Sequence, residues 1–302
     1  IFIYYFILII NKMNNRINES TSINIIGLGY VGGGHSFLCE KNNVEFNVCD
    51  VQKKEGNFNY FNNITDLVKF SESNSETNFY IIAVPTPSDS EGNCDTSIVK
   101  SVLNQLNNNV TKETYVIIKS TTVPGTVRAF NKEYINFDII FCPEFLTEKN
   151  YLNDIYNAKF ILLGIPDNFD MTKYQKILNV MRRFYKHNTQ IDIFMRSYEE
   201  CELFKYTVNN FLAVKVWYFN KIYDISESLG IDYQNFKTLF DLEPRISGYG
   251  TRVPGDHGRG YAGTCLRKDQ YGMIKLLENL NVDNTVLKSM AAENEKMRKI
   301  ND

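Results

Sequence analysis

The chain has 302 residues, of which 43% are hydrophobic, enough for two domains of ordinary size. Lys+Arg 33 against Asp+Glu 35 leaves a net charge of −2, so there is no electrostatic ground for a nucleic-acid or acidic-membrane partner. Six cysteines without a C-x-x-C pair and three histidines argue against a metal site and for reduced thiols in a cytoplasmic protein.

The opening Ile1–Ile10 run is apolar, but it is half the ~20 residues that span a bilayer and has no basic residues ahead of it. Met13 opens a polar lead-in, so residues 1–12 read as upstream sequence and residues 1–20 as a disordered or non-native leader. A short signal-like anchor and an extra strand are the alternatives. Ser22–Ile26, then Gly27-Leu28-Gly29-Tyr30-Val31-Gly32, an apolar-periodic stretch to Glu40 and Glu45–Cys49 ending on Asp50 predict a βαβ unit. The polar, Asn-rich stretch from Asp50 to Phe79 predicts a short strand and a loop. Further strand runs follow at Phe79–Ala83, Tyr115–Ile118, Asp138–Phe141 and Phe160–Leu163. Their alternation with helical segments predicts an α/β fold, a Rossmann-type parallel sheet over 21–195 with helices on both faces.

From Ser197 to Leu229 no proline interrupts an apolar pattern of helical spacing, and Gly230 follows. One long helix is expected there, ending at a glycine cap. It opens a small all-helical second domain over 196–302, interrupted by the glycine-rich loop Glu243–Gly263.

The G-x-G-x-x-G spacing lets the backbone approach a pyrophosphate at a helix N-terminus. Asp50, 23 residues after Gly27, is placed to bond a ribose 2′-OH and to repel a 2′-phosphate, which favours NAD over NADP. Val84-Pro85-Thr86-Pro87, Ser120–Thr126 and Pro143–Glu148 each follow a strand, where open α/β sheets bind ligands. Cys265, where the Gly260–Gly263 loop enters a helix beside Arg267 and Lys268, is expected to favour thiolate. Lys205 and Asn209 share one face of the long helix in an apolar stretch, where a lysine needs a partner or a shifted pKa.

Taken in order from Ile23 to about Asp269, these segments resemble the UDP-glucose/GDP-mannose dehydrogenase family. The resemblance implies oxidation of a nucleotide-sugar C6 alcohol to an acid by two hydride transfers to NAD. UDP-glucose is the expected substrate, GDP-mannose the alternative, and an NAD-binding module without catalysis the alternative of another class. It implies that Cys265 is the nucleophile forming a thiohemiacetal and then a thioester. Lys205 and Asn209 would stabilise the oxyanion, with Asp269 supporting proton transfer. Glu144 would activate water for hydrolysis with Thr121 positioning it. Glu148, Phe145 and Leu146 match a segment at the nicotinamide end and the sugar. The cofactor contacts implied are Gly27, Gly29, Tyr30, Val31, Gly32, Asp50, Pro85, Thr86, Thr121, Glu148 and Lys268. Arg245 would reach a neighbouring subunit's substrate in a homodimer built on the helix 197–229, and Arg259, Gly260 and Tyr261 belong to a donor-rich loop for a diphosphate.

The sequence departs from the family pattern at Ala262-Gly263, at Arg267, at Cys142 (where asparagine or serine commonly precedes Pro-Glu) and at Gly33-Gly34, which are expected to loosen the first helix. The family's further nucleotide-binding C-terminal domain has no counterpart in these 302 residues. A short form whose Glu243–Gly263 loop supplies the nucleotide contacts is the expectation.

Overall fold

A computed structural model of the protein describes residues 20–89 and 91–299. The leader expected over 1–20 lies, except for Ser20, outside the described residues.

Eight strands form one sheet in the order β3-β2-β1-β4-β5-β6-β7-β8. They are β1 (Thr21–Ile26), β2 (Asn47–Cys49), β3 (Asn59–Phe61), β4 (Thr77–Ile82), β5 (Glu113–Ile118), β6 (Asp138–Phe141), β7 (Phe160–Ile165) and β8 (Asp192–Ser197). The helices are α1 (Tyr30–Lys41), α2 (Ile64–Asn74), α3 (Ser97–Asn109), α4 (Thr126–Glu133), α5 (Tyr151–Tyr156), α6 (Met171–Phe184), α7 (Tyr198–Ser228), α8 (Tyr233–Lys237), α9 (Gly263–Asn279) and α10 (Thr285–Lys299).

β4 is buried along its whole length, as a strand covered on both faces must be. Side chains alternate across a strand, so Phe79 and Ile81 join the core under α1 and α6, whereas Tyr80 and Ile82 join the core under α2, α3 and α4. The fold is therefore the expected α/β sheet with helices on both faces, with two differences. β6 and β7 pair antiparallel, Phe141 opposite Gly164, and β8 runs parallel to β7. The chain leaving β6 passes through the six-residue α5 and returns antiparallel to β6 as β7. The second difference is α2, where a loop was expected. Asn63, read as loop composition, is its N-cap and accepts from the Asp66 N–H at 2.8 Å. Ile64, Leu67 and Val68 form its buried face.

α7 begins at a capping box, in which the Ser197 side chain and Glu200 satisfy each other's backbone N–H. It ends as expected at Gly230 (φ 68), where Gly230 donates to the Glu227 carbonyl and Ile231 to that of Ser226, the Schellman pattern. This helix leaves the sheet edge and carries α8, α9 and α10 against it. No helix of the described residues is long and apolar enough to cross a membrane.

Candidate active site

The turn after β1 has the geometry a dinucleotide needs, and each glycine has its own reason. Gly27 has φ 89, and a Cβ there would lie 2.7 Å from the Ala83 carbonyl oxygen. At Gly32 a Cβ would lie 1.8 Å from the Gly27 carbonyl oxygen, so only glycine lets α1 start this close to the turn. Gly29, the N-cap of α1, faces open space and provides no side-chain cap, which leaves α1's first N–H groups for an anion. Tyr30 and Val31 begin that helix. Asp50 follows β2 and accepts from the Leu28 N–H at 2.5 Å and the Gln52 N–H at 2.8 Å, so its carboxylate braces the same turn. Gly33 and Gly34, expected to loosen α1, lie within one continuous helix over Tyr30–Lys41. Gly34 lets α5 pack closely on α1, since a Cβ there would lie 3.1 Å from Ile155 Cδ1, whereas a Cβ at Gly33 would make an ordinary contact with Tyr151 at 3.7 Å. These residues fit a bound dinucleotide: a free helix N-terminus, a backbone without side chains over it and a carboxylate at the ribose position.

A second set of residues meets between α7, α9 and the loop after β6, around a cavity of about 470 Å³. Cys265 lines it near the start of α9 and is exposed, whereas Cys39, Cys49, Cys142 and Cys201 are buried. Arg267 and Lys268 do not face the thiol as free cations: Arg267 pairs with Glu295 at 2.7 Å and Lys268 with Asp269 at 2.6 Å. The N-terminus of α9 and the charge of Lys205 also bear on Cys265.

Lys205 and Asn209 are both buried on the inner face of α7. Asn209 donates to Asp269 at 2.6 Å, and Asp269 is 0% exposed. Asp269 thus accepts from Asn209 with one oxygen and from Lys268 with the other. The Lys205 ammonium lies 5.5 Å from the centre of the Phe145 ring, a cation–π contact. Burial lowers the Lys205 pKa, opposed by the charges of Asp269, Cys265 and Glu144. A lysine in this setting can hold a developing alkoxide and gives up its proton more readily than a solvated one.

Glu144 occupies a different position from the one its expected role suggests. It lines a separate cavity of about 130 Å³ with Lys119, Cys142 and Tyr185, and Phe145 and Leu146 border both spaces. Its carboxylate is hydrogen-bonded to the buried Lys119 ammonium and to His35 Nε2, 3.2 Å away. Burial alone would raise its pKa, but Lys119 and His35 outweigh that and pull it down to about 2. Burial and Lys119 lower the His35 pKa, so the neutral imidazole donates from Nε2, and Nδ1 is buried without a partner. A carboxylate so held orients a water well and deprotonates it poorly.

Of the other expected residues, Glu148, Gly260 and Tyr261 line the large cavity. Pro85, Thr86 and Thr121 sit at the ends of β4 and β5 beside the dinucleotide turn. Arg259 does not line the cavity. Its guanidinium pairs with Asp224 at 2.6 Å, donates to Asn220 and stacks 4.9 Å from the Tyr223 ring, so it clamps the loop to α7. Arg245 is solvent-exposed and paired with Glu243 at 2.8 Å, also off the cavity.

Five residues that sequence reasoning passed over support this geometry. Asn220 on α7 accepts from the Gly260 N–H at 3.1 Å, and Asn294 on α10 both accepts from the Tyr261 N–H and donates to its carbonyl. These two amides fix the loop that delivers Cys265. Glu202, 0% exposed, accepts from Thr122 Oγ1 at 2.8 Å and from the Gly125 and Val127 N–H groups. It ties α7, one turn before Lys205, to the turn holding Thr121. Lys119 and His35 complete the set. A buried polar residue inside an apolar helix run, as at Glu202, was the available signal.

Residues 21–188 match the NAD binding domain of the UDP-glucose/GDP-mannose dehydrogenase family, and residues 199–296 match its central domain. Uncharacterized protein MJ1054 of Methanocaldococcus jannaschii is 30% identical over 65% of this chain, which spans 22% of that protein. The UDP-glucose 6-dehydrogenase of Rickettsia bellii is 26% identical over 74% of this chain, which spans 51% of it. The chain thus covers from about a fifth to about half the length of these curated relatives. Among solved structures, the UDP-glucose dehydrogenase of Pyrobaculum islandicum superposes with a TM-score of 0.72 at 22% identity, over 94% of this chain and 70% of that one, which establishes a common fold.

Proposed function

The chain belongs to the UDP-glucose/GDP-mannose dehydrogenase family and carries its NAD binding domain, and from that premise we propose that it oxidises the C6 alcohol of UDP-glucose to the carboxylate of UDP-glucuronate. The observation that carries the proposal is that Cys265 and Asn209 line one cavity, with Asp269 hydrogen-bonded to Asn209 and Lys205 near enough for the charges of Asp269 and Cys265 to act on it.

NAD⁺, held by the Gly27–Gly32 turn and the α1 N-terminus, supplies the hydride acceptor for each oxidation. Lys205, as the ammonium, holds the C6 oxygen and stabilises the charge that develops there as the alcohol gives up its proton, with Asp269 supporting transfer of that proton through water to solvent. Cys265 then attacks the aldehyde carbon as thiolate, and the resulting oxyanion is met by Lys205 and by the remaining amide hydrogen of Asn209, whose orientation Asp269 fixes. Loss of the second hydride leaves a thioester on Sγ. Water attacks that carbon, and the C–S bond breaks to return the thiol and free the carboxylic acid. The turn's carboxylate at Asp50 selects NAD over its 2′-phosphorylated form.

A homodimer through α7 is part of the proposal. Phe211, Tyr218 and Ile225 are exposed at intervals of seven residues on one face of this helix, the spacing of a helix-pairing seam.

The test is NADH formation by purified protein with UDP-glucose, GDP-mannose and UDP-N-acetylglucosamine, alongside Cys265→Ser. Two NADH per UDP-glucose, abolished in Cys265→Ser with NAD⁺ affinity retained, is the expected result. Turnover of GDP-mannose alone would move the substrate assignment, and NAD⁺ binding without NADH from any sugar would leave a binding module.

A further inference from the structure

Cys142 and Lys119 stand apart from the reaction above, yet they share the second cavity with Glu144. Lys119 Nζ lies 3.0 Å from Cys142 Sγ, with both residues buried. The cavity, about 130 Å³, has room for a few water-sized molecules at ~30 Å³ each. It gives a small solute contact with the sulfur and the amine together, while Asp154, Lys159 and Phe160 form other parts of its wall. Cys201 is the other thiol near enough for its charge to bear on Cys142, but it does not line this cavity.

We propose that Lys119 and Cys142 form a peroxide-dependent covalent cross-link, a sulfur–nitrogen bond that removes the cation held against Glu144. Hydrogen peroxide reaching Cys142 gives the sulfenic acid and one water, and sulfur is oxidised by two electrons. Lys119 passes a proton to the Glu144 carboxylate to which it is already hydrogen-bonded, which frees its nitrogen lone pair. The amine attacks Sγ, the S–O bond breaks, and the departing hydroxide takes the second amine proton as water. One peroxide is consumed and two waters form. The linked nitrogen carries no positive charge, so Glu144 is left protonated with His35 as its remaining donor. An excess of dithiol reverses the step by returning two electrons to sulfur and restoring thiol and amine.

The site is specific in its geometry. A thiol buried among apolar groups alone has no nucleophile to trap its sulfenic acid and proceeds to the sulfinic acid. Here the nearest nucleophile is already in van der Waals contact, and closing the bond requires a side-chain shift of little more than 1 Å. The consequence for Glu144 rests on the proposed dehydrogenase reading; the cross-link itself does not, because it is read by mass.

The whole protein is treated with hydrogen peroxide, then alkylated, digested with trypsin and mapped, with and without dithiothreitol. The expected product is one peptide joining Lys119 to Cys142, lighter than its parts by two hydrogens, about 2 Da, resistant to trypsin at Lys119 and resolved by dithiothreitol. Recovery of Cys142 as free thiol or sulfinic acid with Lys119 still cleaved would overturn the proposal. So would a Cys142–Cys201 disulfide, or a joined peptide retaining the oxygen. Cys142→Ser is expected to lose the joined peptide while Cys265 still oxidises; if a joined peptide at Lys119 persists in that variant, the partner is another cysteine and the assignment fails. Should Cys142→Ser not fold, the mapping of the unsubstituted protein decides alone.

Discussion

Asp269→Asn probes the site where stability and chemistry share one carboxylate. Asp269 is 0% exposed and divides its oxygens between Asn209 Nδ2 and Lys268 Nζ, each at 2.6 Å. The amide keeps one acceptor and turns the other into a donor, which faces an existing donor whichever way it is placed. If its oxygen stays with Lys268, Asn209 must flip and withdraw its N–H from the fixed orientation. If it stays with Asn209, the Lys268 ammonium, 16% exposed in its side chain, loses its countercharge. Breaking a fully buried pair costs about 3–5 kcal/mol, and the partial solvation of Lys268 puts this case near 2–3 kcal/mol. Urea unfolding near neutral pH, with m compared between variants, reads that cost. The same change removes the largest influence that raises the Lys205 pKa, so Lys205 loses its proton at lower pH and the alkaline limb of kcat moves down. A loss under about 1 kcal/mol, with an unmoved alkaline limb, would refute the shared-carboxylate argument.

Arg259→Ala should lower stability by about 1–2 kcal/mol, because the Asp224 pair, the Asn220 contacts and the Tyr223 stacking go together. NAD⁺ affinity, read by fluorescence titration, should stay unchanged. Acid should remove the contribution of Glu144. Its folded pKa of about 2 lies below the ordinary 4.5, so the stabilisation is full above about 4.5 and is lost as pH falls toward about 2. In denaturation midpoints, the deficit of Glu144→Gln against the unsubstituted protein should therefore be widest above pH ~5 and narrow below it. Phe211→Lys, on the exposed seam of α7, should convert a dimer to a monomer in light scattering without a change in thermal midpoint of the isolated subunit; an unchanged mass would remove α7 from the interface.

Much of the scaffold was legible because it depends on local pattern. The β1–Gly27–α1 unit and the span of α7 follow from residues within one or two turns of each other. What the sequence hid depends on partners far along the chain. β8 has an alternating half-exposed pattern but little hydrophobic weight, and it is defined by pairing with β7. Arg259 reads as a phosphate ligand because its loop is glycine-rich; only the fold brings Asp224 and Asn220 to it. Likewise, the expected positive surroundings of Cys265 counted Arg267 and Lys268 without Glu295, 28 residues on, and without the turn of α9 that sets Lys268 against Asp269. Charged residues near a nucleophile in sequence are a measure of its field only when their counterions are known.

The Pro143–Leu146 segment brings these threads together, because it separates two polar sites that face opposite ways. Glu144 points to Lys119, Cys142 and His35, whereas Phe145 lies under the Lys205 ammonium. The two share adjacent backbone, so a shift of Glu144 when its cation is lost moves the ring on which Lys205 rests. Phe145→Leu keeps the bulk of an apolar side chain but removes the ring face, a contact of about 0.5–2 kcal/mol. The expected result is a lower Lys205 pKa, seen as an alkaline limb shifted down, with NAD⁺ affinity and the Lys119–Cys142 cross-link both retained. An unchanged limb would mean that the ring adds nothing to the Lys205 charge, which Asp269, Cys265 and Glu144 then hold by themselves.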